Sequence, residues 1–237
     1  MDRFEPDPPG AAPGDAPAAP AEAAADSGAR RAVNVAVVYY SSTGTIHRMA
    51  EEIAETAEKE GATVRLLRVP ELAPPEVVGA KPAWAEHLAA TGHIPFATPE
   101  DVEWADAVVF GSPSRFGTMA AQLKEFVDTL GGLWMRGVLA DKAYSGFTSG
   151  SSPHGGVEAT LLTMYTMVYH FGGVAVPPGY SDPVKYIDGN PYGTSCIVGS
   201  SDQGIDDQTR DAARVQARRV VRYARALKAM RLEPAEA

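Results

Sequence analysis

The chain has 237 residues, 45% apolar and 22% charged, the balance of an ordinary globular protein. Its 21 basic and 30 acidic residues leave a net charge of −9, the wrong sign for a nucleic-acid partner, whose phosphates need a basic footprint. One cysteine, Cys196, excludes a disulfide framework and a cysteine-rich zinc site, and no apolar run approaches the roughly eighteen residues of a membrane span.

Residues 1–31 hold ten Ala and six Pro, with Met1 and Phe4 as their only large apolar side chains. Such a segment cannot offset its ordering entropy, so a disordered tail is expected. It lacks the apolar core of a signal peptide, which makes the cytoplasm the expected location. One domain is expected over 32–230, with a short frayed tail over 231–237. Val33 to Tyr40 is a near-continuous β-branched and aromatic run, the pattern of a strand buried on both faces. Ile46, Met49, Ala50, Ile53 and Ala57 follow at helical spacing, and Gly61 stands where that helix should stop. Thr63–Val69 and Ala107–Gly111 read as strands, the latter led in by a short acidic helix from Pro99 to Trp104. A helix from Ala120 to Leu130, a strand from Ala143 to Thr148, a helix from Val157 to Phe171 and a strand from Gly173 to Val176 come next. A closing helix buries Ala213, Ala217, Val220, Ala224 and Leu227. Its other face carries Arg210, Arg214, Arg218, Arg222 and Arg225, read as a solvated face, with an anionic partner as the alternative.

Strand and helix alternate five times, which predicts an α/β fold with a five-stranded parallel sheet and helices on both faces. Residues 71–98 and 177–206 read as long irregular connections rich in Pro, Gly and Asp. In such sheets ligands bind beyond the carboxyl ends of the strands, so three loops carry the chemistry. Ser41-Ser42-Thr43-Gly44-Thr45-Ile46 sets hydroxyls and a glycine at a helix N-terminus. That suits a terminal phosphate without any lysine or arginine, and plain helix capping is the alternative. A Walker loop would need Gly-Lys-Ser/Thr, and a dinucleotide fingerprint would need three spaced glycines; neither is present. Gly111-Ser112-Pro113-Ser114-Arg115-Phe116-Gly117 can turn successive amides outward toward a flat heteroaromatic ring, unless it is an ordinary strand-to-helix turn. Thr148-Ser149-Gly150-Ser151-Ser152-Pro153-His154 is small enough for close backbone approach to a ligand, or is a flexible surface loop. His47, His87 and His93 show no metal-ligand spacing and read as surface residues, so no metal site is expected. Trp134, after a double glycine, reads as an interface or substrate residue rather than core.

Together these motifs resemble the WrbA family of flavodoxin-like NAD(P)H:quinone oxidoreductases, over roughly Val33 to Leu227. The resemblance rests on Tyr39-Tyr40-Ser41, Gly111 to Gly117, Thr129-Leu130-Gly131-Gly132-Leu133-Trp134 and Pro191-Tyr192-Gly193. It implies strand order 2-1-3-4-5, FMN as cofactor, NADH or NADPH and a quinone as substrates, and a homotetramer in which a neighbour completes each pocket. By position, Ser41, Ser42, Thr43, Gly44, Thr45 and Ile46 would hold the FMN phosphate. Pro113, Ser114, Arg115 and Phe116 would line the isoalloxazine, and Thr148, Ser149, Gly150, Ser151, Ser152 and His154 would border its pyrimidine side. His170 matches a family histidine near the flavin and is the expected catalytic residue. It should lie where its helix ends at the ligand edge. Trp134 matches a tryptophan at the substrate opening. Many members carry Tyr-Gly-His where this chain has Thr43-Gly44-Thr45. The implied activity is two-electron, ping-pong quinone reduction, with a flavodoxin-type electron carrier as the alternative.

Overall fold

The computed structural model describes residues 32–199 and 204–232; the expectations for 1–31 and 233–237 lie outside them. Strand β1 (Asn34–Tyr39) runs up the middle of a parallel sheet and is buried from Val35 onward. With β2 (Thr63–Arg68), β3 (Ala107–Pro113), β4 (Ala143–Gly150) and β5 (Val174–Ala175) it forms the order β2-β1-β3-β4-β5, as the resemblance implied. The two-residue period of β1 feeds two cores. Val35, Val37 and Tyr39 pack with α1 (Thr45–Lys59) and the closing helix. Ala36, Val38 and Tyr40 share the other core with Leu123, Phe126, Leu161 and Met164.

Chain order fills in the rest. Helices α2 (Pro75–Gly79) and α3 (Pro82–Ala90) occupy the segment expected to be irregular over 71–98. Helices form there because Pro75 and Pro82 stand at first helical positions, where a missing N–H costs nothing. Residues 95–97 then bond to Arg68, through Arg68 N to the Pro95 carbonyl (3.1 Å) and Ala97 N to the Arg68 carbonyl (2.8 Å), covering part of the edge of β2. Helix α4 (Pro99–Trp104) opens with a capping box between Thr98 and Asp101. The helix expected over 120–130 is α5 (Ala121–Asp128), followed by the short α6 (Gly131–Met135). Helix α7 (Val157–Phe171) matches its expected span.

The fifth strand position departs from expectation. Ala143 and Tyr144 of β4 pair with β5, while Phe147 to Gly150 pair with a sixth strand, β6 (Thr194–Ile197). The two pieces lie end to end along one edge of β4, and α8 (Pro183–Asp188) belongs to the insertion between them. Residues 183–188 and 194–197 are therefore regular, where an irregular connection was expected over 177–206, of which 200–203 lie outside the described residues; the buried Lys185 pairs with Asp188. Where the strand is interrupted, a side chain stands in for backbone. Gln216 of α9 (Asp207–Leu232) is fully buried. Its Nε2 donates to Ser145 Oγ and to the Gly146 carbonyl, both at 2.7 Å, and its Oε1 accepts from Thr194 N at 2.8 Å.

The arginine face of α9 is only partly solvated. Arg210 and Arg214 reach Glu52 of α1, and Arg225 donates to the Glu60 carbonyl, while Arg218 and Arg222 are exposed. Most of those arginines pin one helix to another. Helix α9 also continues two residues past the end expected at Met230.

Candidate active site

Parallel pairing brings the loops after β1, β3 and β4 to one edge of the sheet. In the first, Gly44 takes φ +102°, a backbone conformation open to glycine. A Cβ there would also stand 3.2 Å from the Arg48 guanidinium and 3.4 Å from the His87 ring, so the back of the loop is packed. Gly44 N donates to Ser41 Oγ at 3.0 Å, and α1 then starts at Thr45 with no side chain capping it. Plain capping therefore does not account for this row of hydroxyls. The first-turn amides of α1 remain as donors at the positive end of its dipole. Thr45 is 4% exposed, and its hydroxyl has no hydrogen-bond partner among the described residues.

The second loop is tightly wound. Ser112 Oγ accepts from Ala120 N at 2.8 Å and closes its base. Arg115 and Thr118 exchange backbone hydrogen bonds of 2.8 and 3.1 Å around Phe116 and Gly117, both with positive φ. Phe116 at φ +54° is strained by on the order of 1–3 kcal/mol, and its ring projects fully into solvent. Arg115 bridges outward, its guanidinium donating to Ser42 Oγ (3.4 Å) and to the Ser114 carbonyl (3.3 Å).

The third loop interlocks with the second. Ser114 N donates to the Ser149 carbonyl at 2.7 Å, and Ser114 Oγ donates to the Gly155 carbonyl at 2.7 Å. A Cβ on Gly156 would come within 2.8 Å of the Gly117 Cα, so the close approach of the two loops at this point needs glycine. Thr148 is fully buried and donates to the Ser112 carbonyl at 2.7 Å. It ties the loops together from beneath, rather than bordering the cleft as expected. Ser151, Ser152, Pro153 and His154 are exposed above it.

The three loops enclose a cleft of about 230 Å³. Ser41, Ser42, Thr43, Thr45 and Ile46 line one side; Pro113 to Arg115 and Ser149 to Ser151 line the other. A wider opening of about 530 Å³ continues over Ser114 to Gly117, Ser151 and His154. Val198 and Gly199, which follow β6, close the first cleft and were missed because that strand was not foreseen.

His170 and Trp134 are not brought to this cleft within one chain. Helix α7 begins beside the third loop and runs for 15 residues, about 20 Å at 1.5 Å per residue. Its end is tied to the start of β4 by Asp141 N donating to the Gly172 carbonyl at 3.1 Å. The expectation that this helix ends at the ligand edge is thereby corrected: a helix between parallel strands must return to their amino ends. Trp134 Nε1 donates to the His170 carbonyl at 2.8 Å, so the two sit together and exposed. A groove of about 560 Å³, lined by Phe116, Met119, Met167 and His170, runs between α5 and α7.

Histidines read as surface groups have more structure than expected. His87 and His47 lie on α3 and α1, and both are half-buried. His47 Nδ1 is 2.7 Å from Tyr39 Oη, and its Nε2 is 3.3 Å from Glu51. Burial, with Arg48 and His93 adding to it, pulls His47 down to about 4. Burial alone would raise the Glu71 carboxyl, but donors from Ala73, Tyr40, Gln122 and Trp84 bring it below the usual range.

The family profile of NADPH-dependent FMN reductase matches residues 33–182. A protein of Deinococcus radiodurans named NAD(P)H dehydrogenase (quinone) is 47% identical over 190 residues, covering 80% of this chain and 94% of the relative. One of the same name from Geobacter sulfurreducens is 42% identical over 199 residues, covering 81% and 98%. Among solved structures, a flavodoxin, WrbA-like protein from Agrobacterium tumefaciens superposes with a TM-score of 0.54 at 26% identity, covering 82% of this chain and 99% of that one.

Proposed function

The chain belongs to the NADPH-dependent FMN reductase family, and on that premise we propose that it is an FMN-dependent NAD(P)H:quinone oxidoreductase reducing quinones to hydroquinones. The observation that carries this reading is the Thr45 hydroxyl, buried and unpartnered at the N-terminus of a 15-residue helix, in a cleft lined by three further hydroxyls of the same loop. A terminal phosphate meets that need, because its oxygens accept from the hydroxyls and from the first-turn amides together. A buried hydroxyl without an acceptor is otherwise a cost.

Bound FMN supplies two-electron redox chemistry between a dihydronicotinamide and a quinone. The protein's part is to bind, orient and exclude water. Ser41, Ser42, Thr43 and Thr45 hold the phosphate. Pro113, Ser114 and Arg115 form one wall for the ring, with Ser149 to Ser151 and His154 on its other border. The wide opening above Ser114 to Gly117, continuous with the cleft, supports one shared seat for nicotinamide and quinone, used in turn, which is a ping-pong scheme.

We further propose a homotetramer in which His170 and Trp134 complete a neighbour's pocket. Their distance from their own cleft supports this, as does the exposed apolar surface of Phe116, Met135 and Tyr169 nearby. There His170 donates a hydrogen bond to a quinone oxygen as negative charge develops on it, and Trp134 offers a flat face to the ring. We place the protein in the cytoplasm, where NAD(P)H is at hand; among the described residues no helix is long and apolar enough to cross a membrane. The test of the cofactor is chromatography of the flavin released on denaturing the holoprotein. FMN is expected, and predominant FAD would overturn the assignment.

A further inference from the structure

Glu71 follows β2 by three residues, is half-buried, and belongs to none of the three loops. Five donors converge on its carboxylate. Oε2 accepts from Tyr40 Oη at 2.8 Å and Trp84 Nε1 at 3.0 Å. Oε1 accepts from Gln122 Nε2 at 2.7 Å and from the amides of Leu72 and Ala73, both at 2.9 Å. The side-chain donors come from three elements that each adjoin the cleft. Tyr40 immediately precedes Ser41. Gln122 lies in α5, two residues beyond the Ala120–Ser112 bond that closes the second loop. Trp84 lies on α3, whose His87 packs against the back of Gly44.

We propose that Glu71 is a positioning residue of the flavin site: by holding the end of β1, α3 and α5 on one carboxylate, it sets the spacing between the phosphate loop and the ring loop. This rests on the FMN reading above. A ligand that engages two loops at once gains from both only when they are held at the separation the ligand spans. FMN reaches both loops. Riboflavin, which lacks the phosphate, engages the ring loop alone. In Glu71→Gln one oxygen becomes an NH₂ group facing donors, so the convergence is lost with little change in volume.

The experiment titrates apoprotein with FMN and with riboflavin, following flavin fluorescence, for wild type, Glu71→Gln, Tyr40→Phe and Gln122→Leu. Wild type binds FMN more tightly than riboflavin. Glu71→Gln weakens FMN roughly tenfold and riboflavin by no more than about twofold. Tyr40→Phe and Gln122→Leu, each removing one donor while keeping the carboxylate, show the same FMN-selective loss at smaller size. Equal weakening of both flavins, or unchanged FMN affinity, overturns the clamp while leaving the cofactor reading intact. If Glu71→Gln does not fold, the two single-donor variants decide on the same criterion. A wild-type chain that binds neither flavin overturns the cofactor reading, and the clamp with it.

Discussion

Thr45 concentrates the argument for a phosphate into one atom. Replacing its hydroxyl by a methyl in Thr45→Val keeps the shape of the buried side chain and removes the donor. FMN affinity should fall by about 1–3 kcal/mol, the value of a hydrogen bond to a charged group, with thermal stability unchanged or raised. Isothermal titration of the apoprotein checks this; FMN affinity equal to wild type would take the hydroxyl out of the phosphate site. His47 gives a second prediction, in pH. Its folded value near 4 lies below the ordinary 6.5, so between those limits the unfolded chain binds more protons. Stability is therefore full above about 6.5 and falls as pH drops toward 4, by roughly 1–3 kcal/mol. Glu71 adds to this in the same direction: its contribution is present above the ordinary glutamate range and is lost as pH falls through its lowered value. Urea unfolding across that window should show the decline in wild type and a shallower one in His47→Gln. Parallel curves would mean that His47 is not held neutral by the fold.

The split fifth strand shows what a helix can contribute to a sheet. Gln216 supplies a donor and an acceptor at the point where β5 has ended and β6 has not begun. Gln216→Leu leaves the Gly146 carbonyl and Thr194 N buried without those partners. It should destabilise the protein by about 1–3 kcal/mol in thermal unfolding, and an unchanged melting temperature would show that the gap repairs itself. The same feature marks the limit of the sequence reading. β1 and β3 were legible because strands buried on both faces leave apolar runs. Strands of two and four residues leave no run to read. α2 and α3 were hidden by Pro75 and Pro82, which look like breakers until they are seen at helix starts. The hydroxyl loop was legible because strand, loop and helix follow one another directly. Glu71 carried no local signal, since its side-chain donors come from positions 40, 84 and 122. The edge on which His170 sits follows from topology alone and was available from the strand–helix–strand order.

At the level of the assembly, the proposed tetramer answers why His170 and Trp134, the residues proposed for the acceptor, stand apart from the cleft of their own chain. Light scattering of the holoprotein should give four copies, and a fully active monomer would refute the shared pocket. His170→Ala and Trp134→Ala should keep most of their FMN while quinone turnover falls about tenfold or more, corresponding to a loss of about 1.4 kcal/mol of transition-state stabilisation for each factor of ten. Quinone turnover equal to wild type at full flavin occupancy would remove both from the site. The central claim is that one flavin serves a nicotinamide donor and a quinone acceptor in turn. Its most direct test is an anaerobic stopped-flow experiment on the holoprotein in two separate mixes. NADH or NADPH alone should bleach the visible flavin absorbance at a rate no slower than turnover, and quinone alone should then restore it fully in one two-electron phase. Flavin that neither nicotinamide bleaches, or bleached flavin that quinone fails to reoxidise, would contradict the account.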